Sequence, residues 1–270
     1  MTTTISDVRP GQRTRGARYR HSLWLLTKRD LHVRYATNAL GYLWSILDPL
    51  LMAGIYYFVF VVIFHRGGSV GETPYIVFLL AALLPWTWFN GVVSDSTRAF
   101  SREAKLIRST SIPRTIWINR IVLSKGIEFL LSLPVLAFFA IVNGAALRLD
   151  VIYFPLAIVI QGILMVGLGM LVAPVCVFFK DLERAIKLFL RLLFYASTVM
   201  YQITDIPAGL MRTIAELNPL VGILGIYRSA FFAHSLDWKL VIVAAIGSLI
   251  ALLLGILVFR RSIRSVLKEM

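Results

Sequence analysis

The chain has 270 residues, of which 58% are hydrophobic, and its mean hydropathy is +0.78. Soluble domains contain about 45 to 50% apolar residues, so this composition excludes an ordinary soluble domain and indicates an integral membrane protein. A net charge of +14 suggests nucleic-acid binding in a soluble protein, but in a membrane protein the positions of Lys and Arg mainly report orientation. The single cysteine, Cys176, excludes an internal disulfide.

The N-terminus is rich first in Thr and then in Arg, which predicts a disordered basic stretch over residues 1–18 and a single membrane domain over 19–270. Residues 29–54, "RDLHVRYATNALGYLWSILDPLLMAG", run from a basic segment with an imperfect helical pattern into a membrane-length apolar stretch. We expect an amphipathic helix at the membrane interface, followed by a turn over residues 38–41 and the first span.

Six transmembrane helices are predicted, because a span needs about 20 mostly apolar residues to cross about 30 Å of hydrocarbon. Their approximate bounds are 44–64, 74–94, 119–143, 152–179, 188–203 and 240–259. With six spans, 23 of the 28 Lys and Arg residues fall on one side. The positive-inside rule makes that side cytoplasmic, so both termini are expected in the cytoplasm and the chain in the cytoplasmic membrane.

Residues 204–239 are nearly apolar enough for a seventh span, but they include Asn218-Pro219 and Arg228. A seventh span would also place the basic C-terminal tail outside, against the positive-inside rule. We therefore expect re-entrant or interfacial helices at the outer side, where surrounding protein satisfies the backbone.

No motif for catalysis is found. The chain lacks the Gly-rich phosphate loop "GxxxxGK[ST]", and its four histidines do not have the spacing of metal ligands. We expect this chain to have no catalytic residue, no metal and no cofactor.

An amphipathic segment joins the second and third predicted spans, in "TRAFSREAKLIRST". The helical period places Arg98, Arg102 and Lys105 on one face and Phe100 and Ile107 on the other. One interpretation is a helix held on the anionic inner leaflet; the other is a helix that docks into a cytoplasmic partner. The loop is longer than a plain turn needs, which favours a functional role.

A basic stripe runs along the start of the fifth predicted span, in "VFFKDLERAIKLFLRLLFY". Lys180, Arg184, Lys187 and Arg191 recur at helical spacing, and Asp181 is positioned to cap the helix or to pair with Arg184. Lys and Arg near a membrane edge commonly extend to the headgroups. Arg191 lies two to three turns deeper, where a cation typically faces a cavity or an anionic ligand.

Aromatic residues are frequent in the first, second and fifth predicted spans. Interfacial belts and lipid contact explain many of them, while stacking against sugars in a carbohydrate channel is the alternative. The candidates for such a channel are Tyr56, Tyr57, Phe60, Phe194, Tyr195 and Tyr201.

The order of these motifs resembles the membrane subunits of ABC-2 type polysaccharide exporters. The similarity is carried by "NALGYLWSILDPLL", the inner amphipathic segment, "FFKDLERAIKLFLRLLFYASTVMY" and "LNPLVGILGIYRSAFF", and it covers about residues 20–261. Such subunits move O-antigen, teichoic-acid or galactan chains carried on a polyprenyl pyrophosphate lipid, and the motifs look most like those of mycobacterial galactan exporters. The resemblance implies a homodimer with a channel between the copies, driven by two ATPase subunits that bind ATP and Mg²⁺.

The resemblance also assigns roles to residues. It places Leu40 and Gly41 at an entrance gate that recognises the lipid pyrophosphate, and to these we add Arg29, Arg34 and Arg191 as cations that could attract the pyrophosphate. The coupling helix to the ATPase would include Arg98, Phe100, Arg102, Lys105, Ile107 and Arg108, and an inner loop motif would include Lys180, Asp181, Leu182 and Arg184. The outer gate would include Asn218, Pro219 and Arg228.

Two alternatives stay open at this point. An ABC-2 exporter of drugs or small lipids would have the same architecture, and a membrane enzyme or scaffold would need no ATPase. Lys180 and Asp48 also depart from the family, which often has Arg and Asn at these positions. Lys keeps the charge but loses the bidentate fork of Arg.

Overall fold

The computed structural model describes residues 15–35, 43–63, 69–70, 73–110, 112–233 and 235–269. In these ranges the protein is mostly helical, with turns between the helices and a short antiparallel pair of strands, β1 (Ser69–Val70) and β2 (Thr73–Pro74). The α-helices are α1 (Arg15–Tyr35), α2 (Trp44–Tyr57), α3 (Tyr75–Ser96), α4 (Ala99–Arg102), α5 (Ala104–Ser109), α6 (Ile116–Val142), α7 (Phe154–Phe178), α8 (Leu182–Ala196), α9 (Leu210–Glu216), α10 (Pro219–Ser229) and α11 (Trp238–Glu269). α2 continues as a π-helix (Phe58–Ile63), and short 3₁₀ helices cover Leu149–Tyr153 and Ile203–Asp205.

Four helical stretches of the described residues are long and apolar enough to cross a membrane: Tyr75–Ser96, Ile116–Val142, Leu149–Phe178 and Trp238–Glu269. They coincide with the second, third, fourth and sixth predicted spans. The π-helix extends α2 over the first predicted span, to residue 63. The prediction of an all-α integral membrane protein is confirmed, and the number of six spans stays a prediction.

Two predicted boundaries are wrong. The fifth span was predicted to run to residue 203, but α8 covers Leu182–Ala196 and a turn follows it. The backbone there includes Thr198 at φ 54°, a left-handed conformation that no α-helix accommodates. At the N-terminus, α1 already begins at Arg15, so the stretch predicted to be disordered up to residue 18 extends too far.

Helix α3 lies at the centre of the bundle and packs against α2, α6, α7, α8 and α10. Its sequence is apolar on every side, as expected of a helix surrounded by others, and most of its side chains are buried. α10 is also buried over most of its length, and its 11 residues span about 16 Å. It is therefore too short to cross the membrane.

The long helices α7 and α11 pack closely where two glycines meet. A Cβ atom on Gly255 would overlap the backbone of Gly167, and one on Gly167 would overlap the backbone of Leu252. Small residues at such crossings let helix backbones approach each other in a membrane. This contact fixes the position of α11 against the rest of the bundle.

We predict that Gly167→Ala will destabilise the protein, because the new methyl group has no space and the backbones must separate. Overpacking of this kind costs about 1 to 3 kcal/mol, measurable as a lower melting temperature in detergent. Gly162→Ala on the same helix is the matched control, since a Cβ atom there meets nothing within 4 Å. Equal melting temperatures for the two variants would contradict this account of the crossing.

Candidate functional site

The coupling segment (residues 98–109) forms two short helices. The prediction of one continuous helix is wrong: α4 and α5 are separated by Glu103, whose backbone angles of φ −112° and ψ 19° lie outside the helical region. The break occurs where the Glu103 carboxylate pairs with Arg29 and Arg120. Arg114 then ends α5 by donating hydrogen bonds to the carbonyl oxygens of Ile107 at 2.6 Å and Thr110 at 3.0 Å.

The two faces of the coupling segment differ sharply in exposure. Phe100 and Ile107 are buried, and the Phe100 ring packs against Phe259 of α11 with centroids 6.0 Å apart. They were predicted to contact a cytoplasmic partner, but in this structure they anchor the segment to the bundle. The basic side chains are exposed and form the free surface of the segment: Arg98, Arg102, Lys105 and Arg108.

Helix α1 ends in charges that are already paired. Arg34 forms ion pairs with Asp95 at 3.0 Å and Glu128 at 3.5 Å, and Arg29 pairs with Glu103 at 3.5 Å. The sequence predicted Arg29 and Arg34 as ligands of an anionic lipid headgroup. The structure places carboxylates beside both of them, which lowers the positive potential that they offer. Leu40 and Gly41, the other predicted entrance residues, lie outside the described residues.

The coupling segment is joined to α8 through Glu183. Its Oε1 atom accepts from Lys187 Nζ at 2.6 Å and forms an ion pair with Arg98. The hydrogen bond from Arg98, followed by that from Lys187, lowers the pKa of Glu183 to about 2, so the carboxylate is charged at physiological pH. Sequence reasoning missed Glu183 and considered Asp181 instead, yet the Asp181 side chain makes no capping hydrogen bond.

The inner loop motif opens α8 at the same end of the bundle. Lys180, Asp181 and Arg184 are exposed, and Leu182 is half-buried. α8 is amphipathic: Leu190 and Phe194 are buried, whereas Arg191, on the flank of that buried face, is exposed. The structure thus places the predicted basic stripe on a free surface of the protomer.

The predicted channel aromatics divide into two groups. Phe194 is buried between Tyr56, at a centroid distance of 5.7 Å, and Trp86, at 5.4 Å, and therefore joins α8 to α2 and α3. Tyr57 and Tyr195 are 41% and 58% exposed, so they belong to the free surface. Tyr201 donates its hydroxyl to the carbonyl of Tyr195, and nothing is described of the Phe60 side chain.

Arg228 lies inside the protein and is 4% exposed. Its guanidinium donates to the carbonyl oxygens of Thr198 at 2.7 Å, Val199 at 2.6 Å and Tyr201 at 3.2 Å. It also donates to Phe78 O at 3.3 Å and lies 3.5 Å from the centroid of the Phe78 ring. An arginine buried at this depth thus occupies the carbonyl groups of the turn that follows α8.

The same turn is held from two other sides. Tyr75 donates its hydroxyl to the carbonyl of Met200 at 3.0 Å, so four consecutive carbonyls, from Thr198 to Tyr201, have side-chain donors. Asn218 caps α10 by accepting from the Leu220 amide, and its Nδ2 donates to Ser197 Oγ at 2.9 Å. Pro219 occupies the first turn of α10, where its missing N–H costs nothing. These residues fix the position of the turn after α8, which the sequence analysis predicted on the outer side.

A bundle of long apolar helices, with paired and exposed charges at one end and a side-chain-anchored turn at the other, defines a multi-pass membrane protein. Comparison with known proteins identifies it further. Residues 21–232 match the ABC-2 type transporter family, and the chain belongs to that family.

Its relatives include permeases of known systems. The chain is 32% identical over 240 residues to the O-antigen export system permease protein RfbA of Klebsiella pneumoniae, covering 88% of this chain and 91% of that protein. It is 30% identical over 219 residues to the RfbA protein of Myxococcus xanthus, covering 81% and 83%. The polysialic acid transport protein KpsM of Escherichia coli is 24% identical over 241 residues, covering 86% and 90%.

We predict that Arg228→Lys will release the outer turn, because an ammonium cannot reach the four carbonyls that the guanidinium fork occupies. Hydrogen bonds from a charged donor contribute about 1.5 to 3 kcal/mol each, so we expect the melting temperature in detergent to fall by about 5 °C or more. Arg148→Lys is the control, since Arg148 is exposed and pairs with Asp150 at the surface. An unchanged melting temperature for Arg228→Lys would show that the carbonyls find other donors.

Proposed function

We propose that this chain is the membrane subunit of an ABC exporter that moves a lipid-linked polysaccharide outward across the cytoplasmic membrane. Hydrolysis of ATP takes place in a separate partner subunit, which supplies the ATP and Mg²⁺ site. This chain contributes the path through the membrane and the surface that receives the partner's movement, and both of its termini lie in the cytoplasm.

The main support for this proposal is the pattern of buried and exposed side chains in the coupling segment, in a chain of the ABC-2 type transporter family. Its apolar side chains are buried in the bundle, while four basic side chains, Arg98, Arg102, Lys105 and Arg108, are exposed. A surface segment whose apolar side chains are buried in the bundle can transmit movement from a docked subunit. Its exposed basic side chains are complementary to an acidic groove on that subunit. The relatives in Klebsiella and Escherichia, named for export of O-antigen and transport of polysialic acid, support a polysaccharide as the substrate.

The channel is proposed to form between two copies of the chain. α2 and α8 expose apolar and aromatic side chains such as Leu51, Tyr57 and Tyr195, and α8 also exposes the cation Arg191, one helical turn before Tyr195. A surface that combines aromatic rings with a cation suits a sugar chain with an anionic lipid carrier. Two ATPase subunits would bind one dimer.

The entrance is proposed at the junction of α1 and α2, on the cytoplasmic side. The Arg29 side chain is half exposed, so a phosphate can reach it, and Arg34 lies on the same helix with its charge shared between Asp95 and Glu128. Leu40 and Gly41, which lie outside the described residues, would take part in recognising the headgroup. The outer gate is proposed at the turn held by Asn218, Pro219 and Arg228, which a passing chain must displace or bypass.

We predict that replacing Lys105 and Arg108 together by Glu will weaken binding of the ATPase subunit about tenfold or more, because the charge complementarity is reversed. The measurement is co-purification of the ATPase subunit with the tagged membrane subunit. Arg148→Glu, a charge reversal at an exposed position outside the coupling segment, should retain the partner. Full retention by the double variant would contradict docking at this segment.

The same variants separate the candidate substrates in cells. If the cargo is a lipid-linked polysaccharide, loss of coupling leaves that glycan inside the cell, where extraction and chromatography of the lipid fraction detect it. An exporter of drugs or small lipids would leave the lipid-linked glycan unchanged. A chain that never retains an ATPase subunit would instead favour an enzyme or a scaffold.

A further inference from the structure

We infer that Glu103 and Arg120 fasten α1 to the coupling segment, so that the two elements move as one body. The inference rests on the proposed function, because it concerns the movement that an ATPase subunit imposes on the coupling segment. Neither residue was singled out by the sequence, and both act by positioning other elements.

Glu103 occupies the break between α4 and α5 and faces two arginines. Its Oε2 atom lies 3.5 Å from Nη1 of Arg29 in α1, and its Oε1 atom lies 3.4 Å from Nη1 and Nη2 of Arg120 in α6. One carboxylate therefore links the coupling segment to both α1 and the bundle. Because Glu103 lies between α4 and α5, this contact connects the middle of the coupling segment to the two other helices.

Arg120 completes the group from the other side. It is 5% exposed, lies 4.9 Å from the centroid of the Trp117 ring, and also pairs with Asp30 of α1 at 3.6 Å. The cluster thus holds two cations and two anions from three elements, with no net charge. Partial burial strengthens such interactions over those at an open surface.

A second set of ion pairs attaches α1 to the residue Asp95, which precedes the coupling segment. Asp95 lies near the end of α3, directly before the segment, and pairs with Arg34 at 3.0 Å and with Arg102 of α4 at 3.7 Å. Arg34 also reaches Glu128 of α6. α1 is thereby attached by charge both before and at the middle of the coupling segment, which leaves it little freedom to tilt independently.

The remaining surface of α1 explains why these pairs matter. Trp24, Leu25 and Val33 are exposed large apolar side chains, as expected of a helix lying in the membrane interface. Another face of α1 packs against the bundle through Leu31 and through the hydrogen bond from Asn119 to Tyr19, and the ion pairs add the attachment to the coupling segment. Leu40 and Gly41 follow α1 in the sequence, so we expect a displacement of the coupling segment to reach the proposed entrance through α1.

The test uses Arg29→Gln, Glu103→Gln and the double variant, each assembled with the ATPase subunit in lipid nanodiscs. We expect each single substitution to lower the stimulation of ATP hydrolysis by added lipid-linked glycan about five- to tenfold, the usual range of coupling between sites. The double variant should show about the same stimulation as the single variant with the larger loss, because the effects of removing two partners of one interaction do not add. Asp150→Asn, which breaks an exposed pair with Arg148, is the control and should behave as wild type.

A distance measurement distinguishes positioning from a general loss of structure. Spin labels on Lys28→Cys in α1 and Ser109→Cys in α5 should keep one distance with and without a non-hydrolysable ATP analogue. In the Glu103→Gln background the distance should change or broaden when the analogue is added. If Glu103→Gln lowers the amount of purified protein, Arg29→Gln replaces it as the background for the distance measurement. The Arg29 side chain is half exposed, and Arg120 keeps both of its carboxylate partners in that variant.

Two results would overturn the inference. Single variants with wild-type stimulation and a constant label distance, in complexes that retain the ATPase subunit, would show that α1 moves independently of Glu103. Additive effects in the double variant would show that Arg29 and Glu103 act separately. A wild-type chain that never binds the ATPase subunit would instead overturn the proposed function, and the inference with it.

Discussion

The cost of placing charge and unpaired backbone groups in hydrocarbon shapes both ends of this molecule. At one end, the chain leaves the helical conformation after α8, and the freed carbonyls would be unsatisfied without Arg228 and Tyr75. Beside the coupling segment, Arg120 is buried and its charge is balanced by Asp30 and Glu103. Both solutions fix the position of elements that would otherwise be free.

The middle of the bundle depends on packing instead. α3 is apolar on all sides and buried, and the glycine contact between α7 and α11 brings two long helices together. A tightly packed centre, with ion pairs at the end that holds the coupling segment, is suited to a transporter that receives movement at that end. The coupling segment combines core packing with a charged surface, since Phe100 is buried in the bundle while Lys105 and Arg108 are exposed.

Hydropathy alone located α3, α6 and α7 within about three residues, because length and apolarity dominate the cost of crossing a membrane. It missed the basic C-terminal part of α11, which continues past the predicted end at residue 259 to Glu269. Hydropathy failed where tertiary contacts determine the end of a helix. α8 ends at Ala196, and Arg228, distant in the sequence, satisfies the carbonyls that follow. No local sequence pattern reveals such a contact. The partner of Arg98 is Glu183 and not a residue of its own segment, and the break at Glu103 depends on arginines from two other helices. Arg228 was visible as a charge in an apolar run, but its carbonyl partners were not.

The central claim is that the exposed face of the coupling segment receives the ATPase subunit while α1 stays fastened to it. Hydrogen–deuterium exchange of the membrane subunit, alone and in complex with the ATPase subunit, tests this claim most directly. The account predicts slower exchange of the backbone amides of residues 98–109 in the complex. Protection confined to other cytoplasmic segments, with residues 98–109 unchanged, would contradict it.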